Sequence, residues 1–221
     1  MSKRLALFDL DNTLLGGDSD HAWGEFLIAK ELVDSQSHSD QNNAFYLQYQ
    51  QGKLDVHAYV KFTLAPVLSM SLNELAQLHT EFMQDFVRPM MLPAAIELIE
   101  SHKAAGDTCL IISATNTFIT TPIAKAFAIE HLLGTDLVIE AGRYSGEIAG
   151  TPCFQAGKID KLKQWLATQD RSYNIGESCF YSDSINDLPL MELVKDAVAV
   201  DPDDSLRLEA EKRGWRILSL R

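Results

Sequence analysis

The sequence predicts an α/β fold built on a doubly wound parallel sheet, and three observations predict it. Short apolar runs alternate with helical patterns, in the order LALFDL, TCLIIS, DLVIEA, SCFYSD, AVAV and WRIL. The runs at 5–10, 108–113 and 178–183 are nearly continuous in apolar residues, as strands covered on both faces are. Each of those three ends in a polar residue, and ligands of open parallel sheets bind beyond the carboxyl ends of the strands. One shared site is therefore expected there.

The first strand run is followed by a change of pattern. From about 18 to 91 no strand run occurs, and DHAWGEFLIAKELV, NNAFYLQYQQG, VHAYVKFTLAPVL and SLNELAQLHTEFMQDFV all read as helix. Ser71 and Glu74 match a capping box, and Leu72, Leu75, Leu78, Phe82 and Phe86 follow at helical spacing as a bundle core. The expected organisation is a Rossmann-like core over 1–17 and 92–221 with an inserted helical cap over 18–91. Gly16 and Gly17 suit the hinge between them. A second insertion, DLVIEAGRYSGEIA at 136–149, has a Gly-Arg turn between extended runs and reads as a β-hairpin.

Composition narrows the function. The chain has 221 residues, 46% hydrophobic, enough for one sizeable core. A formal charge of −12 without clustered Lys and Arg argues against a nucleic-acid partner and against anionic membranes. Lys3 and Arg4 precede an apolar run that Asp9 cuts too short for a signal peptide, and no run is long enough to span a membrane, so a cytoplasmic location is expected. Cys109, Cys153 and Cys179 are odd in number and lack CxxC spacing, which suggests neither a disulfide framework nor a zinc site. They read as small buried hydrophobes, Cys153 standing near the expected site. Oligomeric state leaves no mark in the sequence.

Four stretches carry chemistry. FDLDNT sets Asp9 and Asp11 on one side of an extended chain, and two carboxylates so close call for a metal, a shared proton or both. In LIISATN, Ser113 closes an apolar run and Asn116 lies in the following turn, where a hydroxyl and helix-terminal amides make an anion site; a simple helix cap is the other reading. In QAGKIDKLKQW, Lys158 stands in a first helical turn against the helix dipole, which asks for a reason, whereas Lys161 and Lys163 read as solvated surface. In CFYSDSINDLPLM, Asp183 and Asp187 flank a turn containing Asn186, and hard oxygen ligands of this kind suit Mg²⁺.

Taken in order, FDLDNT, ISATN, Gly157-Lys158 and YSDSINDLP resemble the four motifs of the haloacid dehalogenase superfamily of phosphohydrolases. The helical insertion after the first motif is similar to the cap of the branch that contains phosphoserine phosphatases and histidinol-phosphatase-type members. The resemblance implies that Asp9 is the nucleophile forming an aspartyl phosphate and that Asp11 protonates the leaving alkoxide and then activates water. It further implies that Ser113 and Lys158 hold the phosphoryl oxygens and that Asn116 and Asn186 touch the phosphate. Mg²⁺ would be held by the Asp9 side chain, the Asp11 carbonyl and Asp183, with Asp187 in support through a water or Lys158. The implied partner is a small-molecule phosphate ester.

Substrate choice is expected in the loop after the first motif and in the cap. Asp18 matches the Glu that phosphoserine phosphatases present to the substrate ammonium. Their cap arginine for the substrate carboxylate has no counterpart in GKLDVHAYVKFT, where Lys61 is the substitute available and lacks the bidentate fork. That pattern favours an amino alcohol phosphate without a carboxylate, histidinol phosphate in the first place and phosphoserine in the second. His21 and Asp20 are candidates for the pocket, with Trp23 and Phe26 near them. A phosphotransferase using the same intermediate and a non-catalytic phosphate-binding module are the rival classes.

Overall fold

Leu5–Phe8 (β1) is buried at every position, and the sheet is wound outward from it. The computed structural model describes residues 4–170 and 173–221, so Lys3 lies outside the described residues. β1 leads into four helices, α1 (Ser19–Ala29), α2 (Ser35–Gln50), α3 (Val56–Leu64) and α4 (Leu72–Phe82), the last followed by a π-turn and the short α5 (Arg88–Met90). The chain then runs through α6 (Pro93–Ala104), β2 (Thr108–Asn116), α7 (Thr117–Ala126), β3 (His131–Thr135), β4 (Leu137–Glu140) and β5 (Arg143–Ile148). After α8 (Ala156–Ala167) come β6 (Cys179–Ser182), α9 (Leu188–Met191), β7 (Asp196–Val200), α10 (Asp204–Arg213) and β8 (Arg216–Leu218).

The main sheet has the order β3-β2-β1-β6-β7-β8, with every pairing parallel. The strand order reverses between β1 and β6, which makes the carboxyl ends of these two strands the switch point of the fold. Period-two alternation divides β1 between two cores: Ala6 and Phe8 pack with α6 and α7, while Leu5 and Leu7 pack with α8 and α10. The doubly wound α/β architecture expected from the apolar runs is the observed one.

One strand run is placed differently. DLVIEA does not join the main sheet; β4 pairs with β5 alone as a two-stranded antiparallel hairpin. The sheet edge is instead HLLGT at 131–135, whose mixed character gave no strand signal. The hairpin turn lies on Ala141 and Gly142, one residue earlier than Gly-Arg, both with positive φ (49° and 76°), as a tight hairpin turn requires.

The inserted helices are fastened to α7 by aromatic packing. Trp23 of α1 meets Phe82 of α4 and Phe118 of α7 edge-on, each at 5.2 Å between centroids, and His79 packs against the same rings. Such pairs contribute about 0.5–1.5 kcal/mol each beyond their burial. The Ser71–Glu74 capping box forms, and of the expected stripe Leu75 and Phe82 are fully buried while Leu72 is exposed at the helix start. Where the block leaves and rejoins the core, Gly16 N donates to Met90 O (2.7 Å), and a Cβ on Gly17 would lie 2.7 Å from Met90 Sδ. Glycine here accommodates the close approach of the two connecting segments rather than a left-handed φ.

His79 is 3% exposed, and its Nε2 donates to the Ile119 carbonyl at 3.2 Å. Burial pushes its pKa from 6.5 down to about 4. The folded protein therefore holds a neutral ring that the unfolded chain protonates, so this contribution to stability is complete above pH 6.5 and is lost as pH falls toward 4. His79→Gln, which keeps a donor for Ile119, is expected to reduce the stability lost between neutral and mildly acidic pH by about 2 kcal/mol. Urea denaturation of both proteins at the two pH values checks this, and equal losses would refute it.

Candidate active site

β1 ends where its ladder ends. Asp9 N still donates to Tyr181 O (2.9 Å), but the chain then turns, with Asn12 in the left-handed region (φ 57°) and Asn12 N bonded to Gly17 O. Asparagine tolerates that conformation better than other non-glycine residues. The turn brings Asp11 back beside the strand ends and is closed by Leu14 and Leu15 amides on Leu10 O. Asp11 Oδ1 accepts from Ser19 N (2.6 Å) and Oδ2 from Thr115 Oγ1 (2.8 Å), so its orientation is fixed from two elements.

Lys158 reaches the same place from α8 and is 2% exposed. Its Nζ lies 2.7 Å from Asp9 Oδ1 and 2.7 Å from Asp187, whose Oδ2 also accepts from Ser182 Oγ. The start of α8 is forced in close: a Cβ on Gly157 would lie 2.0 Å from the Pro152 carbonyl oxygen. Gln155, immediately before the helix, has φ 49° and ψ −122°, a region that costs a non-glycine residue about 1–3 kcal/mol. The position of Lys158 against the helix dipole is thus explained by two carboxylates that hold it.

Ser113 and Thr115 alternate with Ala114 along β2, so both hydroxyls face Asp11, where Ser113 Oγ is 3.5 Å from Oδ2. The β2–β3 register slips between Ile112 and Asn116, a local irregularity of the kind that re-aims side chains beside functional sites. The sequence reading missed Thr115, although its period-two relation to Ser113 was the available signal. Asn116 caps α7 through Oδ1 on Ile119 N (3.2 Å), and its buried Nδ2 has no partner among the described residues. Asn116 lines the same cavity as Asp9 and Ser113. Asp183 accepts from Thr13 Oγ1 (3.0 Å).

Asn186 is placed otherwise than expected for a phosphate contact. Its Nδ2 donates to Tyr49 O (3.0 Å) and its Oδ1 accepts from Gln155 Nε2 (3.2 Å), which also donates to Gly52 O (3.2 Å). Both side chains therefore link the core to the end of α2. The wall of the cavity comes from Asp18 and Asp20 at the start of α1 and from Phe45, Tyr46, Tyr49 and Tyr59 of α2 and α3. Lys61 is not part of it: its Nζ pairs with Glu147 (3.0 Å) and its side chain is 58% exposed. Trp23 and Phe26 lie in the aromatic core instead, and His21 bonds Asn43 and packs beside Tyr46. Lys161, read as surface, is buried and paired with Asp136, and Cys153 is buried in the core beneath β3.

Acids outnumber the cation here, and their pKa values show it. Burial raises Asp9 to about 7, with Lys158 opposing the rise and Asp187 adding to it. Burial raises Asp11 to about 6, with Asp18 adding to it and the Ser19 and Thr115 hydrogen bonds opposing it. Asp183 lies well above the usual carboxylate range through burial, Asp9 and Asp187. For Lys158, burial favours the neutral amine, but Asp187 and Asp9 outweigh it and the ammonium is stabilised. No group of three or more acid, His or Cys side chains is gathered for a metal among the described residues. Mg²⁺ needs only one or two carboxylates besides waters, however, and the excess negative charge on Asp9 and Asp183 fits a divalent cation.

With this geometry in hand, the comparisons are specific. The profile of haloacid dehalogenase-like hydrolases matches residues 6–192. A histidinol-phosphatase of Neisseria meningitidis is 48% identical over 99% of this chain and all of that protein. A crystal structure of a Bordetella pertussis protein of unknown function superposes with a TM-score of 0.92 at 41% identity, covering both chains completely. A substrate-bound phosphoserine phosphatase superposes with a TM-score of 0.71 over 100% of this chain and 94% of its own, at 14% identity, and so shares the fold.

Removing the ammonium leaves Asp9 and Asp187 buried together without a counter-charge. Lys158→Met is expected to destabilise the protein by about 3–5 kcal/mol, and adding Asp187→Asn to recover part of that loss. Denaturant titrations of the single and double variants test this; a double variant no more stable than Lys158→Met would contradict the pairing.

Proposed function

The chain belongs to the haloacid dehalogenase-like hydrolase family, as a phosphomonoesterase, and from that premise we propose that it hydrolyses histidinol phosphate through a phosphoaspartate on Asp9. The observation that carries the substrate choice is the cavity wall: Asp18 and Asp20 face it with aromatic rings, and among the described residues no Arg or Lys lines it. A wall of that kind suits a substrate with cationic groups and leaves the carboxylate of phosphoserine without a partner. The 48% identity to a histidinol-phosphatase supports the same choice. The inserted helices act as the cap that closes this wall over the phosphate site. The cytoplasm is the proposed location, in keeping with three free cysteines.

Asp9 attacks phosphorus as its ester oxygen leaves, and Asp11 gives that oxygen a proton. A phosphoaspartate and the free alcohol result. In the second step Asp11 takes the proton back from a water that attacks phosphorus, the bond to Asp9 breaks, and inorganic phosphate departs. Lys158, Ser113 and the free Asn116 Nδ2 hold the phosphoryl oxygens during both displacements. Asp9, the Asp11 carbonyl and Asp183 would hold Mg²⁺, with Asp187 in support through Lys158. Bound there, the ion supplies charge neutralisation and alignment of the phosphate. Asp11, oriented from both sides by Ser19 and Thr115, is the group that moves the proton.

Phosphate release with Mg²⁺ tests the reading over histidinol phosphate, phosphoserine and phosphoethanolamine. Histidinol phosphate is expected to be preferred at least about 10-fold over phosphoserine, since a buried unpaired carboxylate is costly. Chelation should abolish release and added Mg²⁺ restore it. Asp9→Asn should be inactive, and Asp11→Asn slower by about 10²–10⁴-fold. Preference for phosphoserine would overturn the substrate assignment. Transfer of the phosphoryl group to an added alcohol in place of water would make the protein a transferase.

A further inference from the structure

Asp20 is a buried carboxylate that the mechanism does not use. It sits in the first turn of α1, is 8% exposed, and its Oδ1 is buried without a partner among the described residues. A first-turn acid helps a helix electrostatically, but that role is best served in solvent, and burial of an unpaired carboxylate opposes it. Asp18, two residues earlier, differs: its Oδ1 accepts from His21 N (2.8 Å) as the helix cap. Asp20 lines the same cavity as Asp18 and Tyr59. The cavity also holds Phe45 and Tyr46, whose faces suit a flat cationic group.

From these observations we infer that Asp20 is a specificity-determining residue that receives a second cationic or N–H-donating group of the substrate, beyond the ammonium facing Asp18. This rests on the phosphatase reading and extends it. The substrate class is a phosphate monoester of an amino alcohol with a planar, protonatable nitrogen ring at its far end. Two carboxylates in one wall would be matched by two positive groups on one ligand, with the aromatic rings against the flat one. Histidinol phosphate has both groups, whereas phenylalaninol phosphate has the ammonium and a flat ring of similar size without the N–H.

The test compares these two substrates in wild type, Asp20→Asn and Asp20→Leu, with thermal denaturation of each protein. In wild type, histidinol phosphate is expected to be preferred. In both variants the ratio of kcat/KM for histidinol phosphate to that for phenylalaninol phosphate should fall by about 10- to 100-fold, mainly through KM. Tm of Asp20→Asn should be equal to or above that of wild type, because a buried carboxyl without a partner is replaced by an amide that carries no ionisation cost. An unchanged ratio, or equal loss on both substrates with a lowered Tm, would show a structural residue and overturn the inference. A wild-type enzyme that prefers phenylalaninol phosphate overturns it and leaves the phosphatase reading standing; one that hydrolyses neither overturns both.

Discussion

A lysine ammonium buried between two carboxylates is the constraint on which the rest of the site depends. Lys158 is tolerated at 2% exposure because Asp9 and Asp187 each hold it at 2.7 Å. That requirement brings together three segments from distant parts of the chain: the end of β1, the turn after β6 and the first turn of α8. The sheet order supplies the first two as neighbours, since β1 and β6 pair directly. The third is brought in by close packing, with Gly157 against Pro152 and a strained Gln155 at the helix start. Backbone strain at this point is offset by the ion pairs it makes possible.

The same geometry explains why the acids remain unbalanced. One ammonium serves two carboxylates, so Asp183 and much of the charge of Asp9 await something positive. A phosphate ester bound without a divalent cation would add further negative charge to a site already in excess. The wall of the cavity continues the pattern, because Asp18 and Asp20 face it with no Lys or Arg among the described residues that line it. On the proposed reading, chemistry at the strand ends and selectivity at the wall follow from one electrostatic imbalance, which a divalent cation would meet at one end and substrate cations at the other. Attachment of the inserted helices is also divided: aromatic rings pack α1 and α4 onto α7, while the end of α2 meets the core through the amides of Asn186 and Gln155.

What was legible in the sequence was what periodicity and strand ends record. Apolar runs that stop at Asp9, Ser113 and Asp183 identified the sheet and the place where its loops converge. Lys158 was conspicuous because a cation in a first helical turn needs a partner. What escaped depends on tertiary contact. HLLGT is a strand because β2 needs an edge partner, not because its own pattern is strand-like. Thr115 matters because β2 continues past Ser113 and carries a second hydroxyl to Asp11. Lys161 is buried because Asp136 from the hairpin meets it. Trp23 was placed near the pocket by its proximity to His21 in the sequence, whereas packing gives it to the aromatic core; Asn186, which the family resemblance assigned to the phosphate, bonds Tyr49 O and Gln155 in the link with α2.

The measurement that tests this account most directly is acid-quench trapping with histidinol phosphate labelled in its phosphoryl group. Within a single turnover, label is expected on the peptide that contains Asp9, absent in Asp9→Asn and persisting longer in Asp11→Asn. Turnover without label ever joining the protein would mean that water attacks phosphorus directly, and would contradict the role assigned to the acid at the end of β1.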